Sequence, residues 1–551
     1  MAPLKINYWH VILNIIPQRD SRLFAKKDII FLCIITSISA WVYYPSLYYD
    51  FILLDDDWLI IDNPSIRNLS VEGIKHLFFH DKLDAFYYPL TYVSLAIDYH
   101  FFGLDPFWMK LHNLLLHLGS GVLVYFLAKN FSGHQWVAWL VTGLFLLHPI
   151  QAENVTWACL RRQVLVQFNF LLSLLLMLKF VDLPGEKKAR WLYYLFGFIT
   201  FSAAMLSKFV AAPLPLLVLL YAWLWKKNGN SKTMLLKNGA LLLPFFLFAG
   251  LIYFMNHQAR AQNFLIHELN YSWAEHALIF FNSFSFYAGK VFYPGCLHLF
   301  CPAPVPGKVM TLFFMAGGIA GALLIVAGFV HLLFNQRTFA FLIFSYILLI
   351  ASSANTMLFV SDTVSTVADR YFYIASSVFF LYISMIAERL VGRGNILLLL
   401  TALVILLCIP LTKNQLAHWK NTNTIMERGM RCQPTKEFGY RLAVDHIKSE
   451  RLDDAKRVFE KTKKLPDDIY FNNPFFIWIE FANMSIRLED TVEARKFLLA
   501  ALQRDMNCAE PIGTEVLDTL IKPEGVDYKD YINLRTRLTQ EKNCSLKPHR
   551  F

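Results

Sequence analysis

Charge is scarce in this sequence. Asp, Glu, Lys and Arg supply 17% of its 551 residues, against about 25% in soluble domains. Hydrophobic residues make up 56% and the mean hydropathy is +0.40, so a water-soluble fold is excluded as the main architecture. Cysteine is sparse too: the eight cysteines are scattered, with no CxxC and no Cys/His spacing suited to zinc. A zinc knuckle and a dense disulfide framework are therefore not indicated. Cys296 and Cys301 lie near enough in sequence to bridge, and two free thiols fit the sequence equally well. No Walker A, GxSxG, HExxH or post-strand GxGxxG motif occurs.

What is present is apolar length. Runs centre on Ile29–Tyr48, Leu111–Leu127, Val137–Ile150, Val164–Val181, Leu192–Leu206, Ala211–Trp225, Ala240–Met255, Met310–Phe334, Phe339–Leu358, Phe372–Ile386 and Ile396–Leu411. They predict an all-α, polytopic helical membrane protein with about eleven spans, the shorter runs extending into less apolar flanks. Arg19, Arg22, Lys26 and Lys27 precede the first run, which lacks a small-residue cleavage site. It reads as a retained span behind a cytoplasmic N-terminal segment, 1–28.

The net charge of +11 would suit nucleic acid, but the basic residues sit in short turns between the apolar runs. The charge reads as topology, and no nucleic-acid partner is expected. Alternation puts the turns at Glu186–Lys188, Lys226–Lys237, Arg337 and Arg389–Arg393 on the cytoplasmic side. The segment Trp273–Phe292 carries Glu275, His276 and Lys290 and is expected to be interfacial or re-entrant. The loop 49–109, the turn 148–162, the segment 256–308, the loop 361–371 and everything after Lys413 then share the external face.

After Lys413 the composition becomes that of a soluble helical domain, 413–551, following a transmembrane domain, 29–412. Two helix pairs are predicted there, Tyr440–Ser449 with a helix over Leu452–Phe459, and Phe475–Arg487 with a helix over Glu493–Leu498. Their spacing is near that of tetratricopeptide repeats, which usually bind polypeptide.

The polar chemistry gathers on the external face. Asp55, Asp56 and Asp57 follow the first span between apolar flanks, where adjacent carboxylates bind a cation, hold a raised pKa or serve as a base; a solvated acidic turn is the plainer alternative, which the apolar flanks disfavour. Arg161 and Arg162 break the charge rule; such guanidinium groups clamp phosphate or pair with Glu153 or a first-loop aspartate. His148 opens that turn. Asp369, Arg370 and Tyr371 open another span, and Lys290 adds a further cation. His112, Asn113 and His117 share one helix, where interhelical hydrogen bonding competes with a place in the site. The abundant aromatics of the first loop fit a membrane-interface belt as well as sugar stacking.

These clusters resemble the GT-C membrane glycosyltransferases. The likeness is strongest to bacterial proteins joining such a core to tetratricopeptide repeats, and to the eukaryotic transmembrane-and-TPR protein O-mannosyltransferases. It is carried by Asp55-Asp56-Asp57 with Asp62-Asn63-Pro64; by Tyr88-Pro89-Leu90-Thr91 through Gly103-Leu104-Asp105-Pro106 to His112-Asn113 and His117; by His148-Pro149 through Glu153 and Trp157 to Arg161; by Lys290 to Pro294; and by Ala368-Asp369-Arg370-Tyr371. Two positions depart from the pattern: Tyr88 stands where a basic residue is usual, and Gln163 where an acidic one is.

The resemblance implies an inverting transferase that moves a sugar from a polyprenyl-phosphate carrier to an external hydroxyl, with Asp55 as base and Asp56 as its neighbour and runner-up. Arg161, Arg162, Arg370 and Lys290 would hold the phosphate. The acceptor is expected to be protein, engaged by the C-terminal repeats, with a glycolipid or surface glycan as the alternative. The residues themselves fix no cofactor: Asp55 and Asp56 could coordinate a divalent cation as readily as act as a base. A bacterial inner membrane with a periplasmic C-terminal domain is implied. A transporter or flippase, or a non-catalytic scaffold, is the rival class, but the polar residues cluster on one face rather than at a midplane.

Overall fold

A computed structural model of the chain describes residues 26–79, 87–183, 188–225, 231–263, 272–299, 312–353, 367–392 and 394–465, together with 484, 485, 492, 493 and 496. Among these residues the regular elements are all helical. In chain order they are α1 (Lys26–Tyr43), α2 (Val71–Phe79), α3 (Pro89–Phe102), α4 (Pro106–Ser132), α5 (Gln135–Leu147), α6 (Ala152–Thr156), α7 (Arg161–Asp182), α8 (Lys188–Ser207) and α9 (Leu214–Trp225). There follow α10 (Ser231–Asn263), α11 (Trp273–Phe292), α12 (Leu312–Leu333), α13 (Arg337–Ser353), α14 (Tyr373–Val391), α15 (Asn395–Ala417), α16 (Thr422–Cys432), α17 (Lys436–Lys448) and α18 (Leu452–Lys463), with short 3-10 turns and a π turn at Asp57–Ile61 between helices.

The eleven apolar runs each fall on a helix. Eight of these helical stretches are long and apolar enough to cross a bilayer, and Gln135–Leu147, Phe209–Trp225 and Arg337–Ser353 are shorter apolar helices. Large apolar side chains such as Ile34, Trp41, Leu247, Leu251, Leu323, Leu399 and Leu406 point outward from the bundle. A protein surrounded by water would not present such faces, whereas lipid accommodates them.

Local signals set the helix ends. α4 starts where Pro106 occupies the first turn and the Asp105 side chain accepts the Phe107 N–H, and it stops at Gly133, whose φ of +69° is left-handed. In the bundle, serine and threonine side chains reach across helices to carbonyls: Ser39 to Leu146, Thr412 to Leu147 and Ser173 to Gly197. Such bonds satisfy polar groups where no water reaches them.

Two buried clusters organise the molecule. The larger lies among the spans, with α7 the most enclosed of the long helices. The smaller is built from the first loop (Ile52, Leu54, Ile60, Leu95), the turn before α7 (Trp157 to Leu160) and the C-terminal helices (Trp419, Ile425, Met426, Phe438, Leu442). The helices after Lys413 thus share a core with the first loop, rather than hanging from the membrane domain as a detached appendage. α17 and α18 cover the first predicted helix pair, while the second, Phe475–Arg487 and Glu493–Leu498, lies almost wholly outside the described residues.

α11 packs closely on α12: Asn282, Leu278 and Phe281 press against Gly317, Gly318 and Gly321, and Ser285 Oγ donates to the Gly317 carbonyl. One expectation changes. Cys296 forms a disulfide with Cys432, 136 residues away, rather than with Cys301, which lies outside the described residues.

Candidate active site on one face of the helical core

The first loop brings Asp55 and Asp56 to the site in opposite orientations. The turn Leu53–Asp57 points Asp55 outward, its side chain 30% exposed, where it accepts from Arg162 Nη2 at 3.1 Å. Asp56 is fully buried and faces inward. Its two oxygens accept the backbone N–H groups of Ile52 at 2.9 Å and Cys159 at 2.8 Å, fastening the loop to the turn before α7. Burial pushes the Asp56 carboxyl up to about 7, against these N–H donors and the nearby Lys110 ammonium, which favour the charged form. Asp57 caps the Trp58 N–H at 2.9 Å, and burial raises its carboxyl as well. The triplet therefore does not converge as a shared base or a cation site: one carboxylate is presented and its neighbours are engaged in the turn. Among the described residues no group of three or more His, Cys, Asp or Glu side chains is arranged to hold a metal ion.

Arg161 and Arg162 diverge in the same way, because consecutive residues at a helix start point about 100° apart. Arg162 faces Asp55. Arg161 is 1% exposed and donates to Asn113 Oδ1 (2.6 Å), Ser94 Oγ (2.6 Å), Asp98 Oδ2 (2.6 Å) and the Met109 carbonyl (2.8 Å). With its nitrogens so occupied, Arg161 is the pin that joins α3, α4 and α7, not a phosphate ligand. Asn113 belongs to that pin and also donates to the Trp157 carbonyl at 3.2 Å. His112 Nδ1 meets Asp98 at 2.7 Å on its outer side. His148 belongs to the same kind of scaffold: its Nε2 donates to the Val291 carbonyl at 3.0 Å, and burial lowers its pKa to about 4. These three hold helices together rather than face the open site, as does His117, whose Nδ1 lies 2.8 Å from the Tyr373 hydroxyl.

Arg370 is the second guanidinium of the site. Its Nη1 donates to Glu153 Oε1 at 3.0 Å and to the Leu299 carbonyl at 2.9 Å, and its charge attracts that of Asp55. Gln163 holds the Arg370 carbonyl at 2.9 Å, so the uncharged side chain that departs from the family pattern serves as a backbone clamp. Glu153 is buried. Its carboxyl is pushed up to about 7 by burial, with Arg370 pulling the other way, and its second oxygen finds no hydrogen-bond partner among the described residues. Asp369 accepts the His298 N–H at 3.3 Å and lines a narrow crevice with Glu153 and Trp419. Lys290 donates to the Cys296 carbonyl at 2.5 Å, at the end of α11.

One cation was missed by sequence reasoning. Lys208 follows α8, its Nζ 5.3 Å from the centre of the Tyr371 ring, and the Arg370 guanidinium lies 5.0 Å from the same ring. Thr91 of α3 donates to the adjacent Ser207 carbonyl at 3.1 Å, so the first loop fixes this corner. The signal was available: a lysine at the exit of a span on the supposed external face breaks the charge rule, as Arg161 and Arg162 do.

A helical core that gathers a presented carboxylate, two guanidinium groups and a lysine can bind an anionic group such as phosphate beside a base. Residues 72–267 match the family model described as dolichyl-phosphate-mannose-protein mannosyltransferase, a stretch that holds Glu153, Arg162 and Lys208. The chain is 32% identical over 144 residues to Protein O-mannosyl-transferase tmtc2 of Xenopus laevis, a segment covering 24% of this chain and 17% of that protein. It is 28% identical over 134 residues to Protein O-mannosyl-transferase TMTC1 of Mus musculus, covering 22% of this chain and 14% of that one. The matched segments thus span less than a fifth of these relatives' length. Among solved structures, the archaeal oligosaccharyltransferase AglB from Archaeoglobus fulgidus, in complex with an inhibitory peptide and a dolichol-phosphate, aligns with a TM-score of 0.41 at 13% identity. That alignment covers 76% of this chain and 59% of AglB, a likeness too distant to bear on function. Over these segments the chain is similar to protein mannosyltransferases.

Proposed function

We propose that the protein transfers a sugar, of which mannose is the first candidate, from a polyprenyl-phosphate carrier to a hydroxyl group of a protein on the non-cytosolic side of its membrane. The observation that carries this reading is the pairing of Asp55 with Arg162, within the electrostatic reach of Arg370. In the proposed step the acceptor oxygen attacks the anomeric carbon and Asp55 takes the hydroxyl proton. The bond from that carbon to the phosphate oxygen breaks, its electron pair leaving with the phosphate, and the anomeric configuration inverts. Arg162, Arg370 and Lys208 stabilise the charge on the departing phosphate, and Lys290 contributes from the end of α11.

The mannosyltransferase family model and the O-mannosyl-transferase relatives favour this donor and acceptor class. The disulfide between Cys296 and Cys432 favours the non-cytosolic face, since such bonds persist in oxidising compartments. The test is transfer of labelled mannose from dolichyl-phosphate mannose to protein in membranes carrying the wild type or the Asp55→Asn variant. Loss of a general base is expected to lower kcat by about 100-fold or more. Full transfer by the variant sinks the assignment of Asp55.

A further inference from the structure

The stretch from Pro294 to Leu299 is a strap held from both sides. On one side Cys432 of α16 is bonded to Cys296, Arg428 of α16 donates to the Gly295 carbonyl at 2.5 Å and the Leu297 carbonyl at 3.4 Å, and Gln415 of α15 donates to Leu297 at 3.3 Å. On the other side the strap meets the site: the His298 N–H reaches Asp369 at 3.3 Å and the Leu299 carbonyl accepts from Arg370 at 2.9 Å. Leu297, His298 and Leu299 are buried, so a shift at one end of the strap passes to the other rather than dissipating in a loose loop. The sulfur pair itself sits only partly covered at the edge of this assembly.

We propose that the Cys296–Cys432 disulfide is a positioning element for Arg370: closed, it seats the strap so that the Leu299 carbonyl fixes the guanidinium toward the donor phosphate. Reduced, it releases that grip. The pair thereby makes donor binding depend on oxidation of the C-terminal helices onto the membrane core, and a chain that has not reached an oxidising compartment holds its donor poorly. The proposal rests on the reading of Arg370 as a phosphate ligand only for what is bound; the mechanical link stands on the contacts alone.

Dithiothreitol opens the bond by taking it to two thiols while itself closing to its cyclic disulfide, and Cys432→Ser removes the bond without reductant. In full-length protein in membranes, either change is expected to raise the KM for dolichyl-phosphate mannose several-fold while the KM for the acceptor peptide stays put. Combining Cys432→Ser with Arg370→Lys should cost no more than Arg370→Lys alone, because both act on one contact. A fall in kcat with unchanged donor KM, or additive losses in the double variant, overturns the proposal and leaves the bond a staple for stability. Should the wild type transfer no mannose and bind no dolichyl phosphate, the functional reading has failed. The mechanical link is then read by amide hydrogen exchange, which must rise across residues 368–372 in Cys432→Ser, and unchanged exchange there overturns it.

Discussion

Neighbouring residues in this site are sorted by direction rather than by type. Asp55 and Arg162 face one another across the open side, whereas Asp56 and Arg161, one position away in each case, are consumed by hydrogen bonds that build the scaffold. Glu153 stands between these roles, supporting Arg370 with one oxygen while the other is buried without a partner among the described residues. Burial raises its carboxyl from 4.5 to about 7, with the Arg370 charge only partly opposing. The sign follows: below about 4.5 the group is protonated folded or unfolded, and between 4.5 and about 7 the unfolded chain ionises first, so folding loses stability as pH rises through that window. Above it the loss is constant. Glu153→Gln is therefore expected to flatten the decline of Tm between pH 5 and 7 measured in detergent, relative to the wild type. An identical slope in both proteins refutes the assignment.

At the scale of elements, the pairing of α11 with α12 depends on the absence of side chains. A Cβ on Gly321 would lie 1.9 Å from the Phe281 carbonyl oxygen and one on Gly317 1.9 Å from Asn282 Oδ1. Neither contact is tolerable, so the two helices approach as closely as they do only because glycine permits it. Gly321→Val is expected to separate them, with a clear drop in yield of folded protein and in Tm, whereas Gly250→Val in α10, where nothing lies within 4 Å, should be nearly silent. The mixed composition of Trp273–Phe292 concealed this partnership. Its charged and polar residues, Glu275 and Lys290, are spent locally, the first in a capping box with Ser272 and the second on the Cys296 carbonyl. Such a residue lowers hydropathy in sequence without forbidding close helix pairing once its partner is in place.

For the molecule as a whole, the second buried cluster joins the first loop to helices some 350 residues later in the chain, through Ile52 and Leu54 against Trp419, Ile425 and Phe438. Backbone bonds reinforce the joint, from the Asp50 N–H to the Lys420 carbonyl at 3.1 Å and from the Leu53 N–H to Thr422 Oγ1 at 2.9 Å. Truncation after Lys413 would therefore expose apolar residues of the very loop that carries Asp55. The expected result is loss of transfer to every acceptor together with a lowered Tm, not a loss confined to protein acceptors. Retention of glycolipid transfer by the truncated chain would show that the loop is held without the C-terminal helices.

The sequence by itself determined the class of fold and the number of apolar helical runs, because hydropathy acts through the bilayer and needs no knowledge of packing. It also named Asp55, Arg162 and Arg370 among its candidates. What only the tertiary structure decided was which of each adjacent pair is presented and which is consumed, where Cys296 finds its partner, how α11 sits, and that Lys208 shares the ring of Tyr371 with Arg370. Those outcomes depend on residues hundreds of positions apart meeting at fixed angles, and a linear pattern carries the period of each helix but not the partner its face will meet.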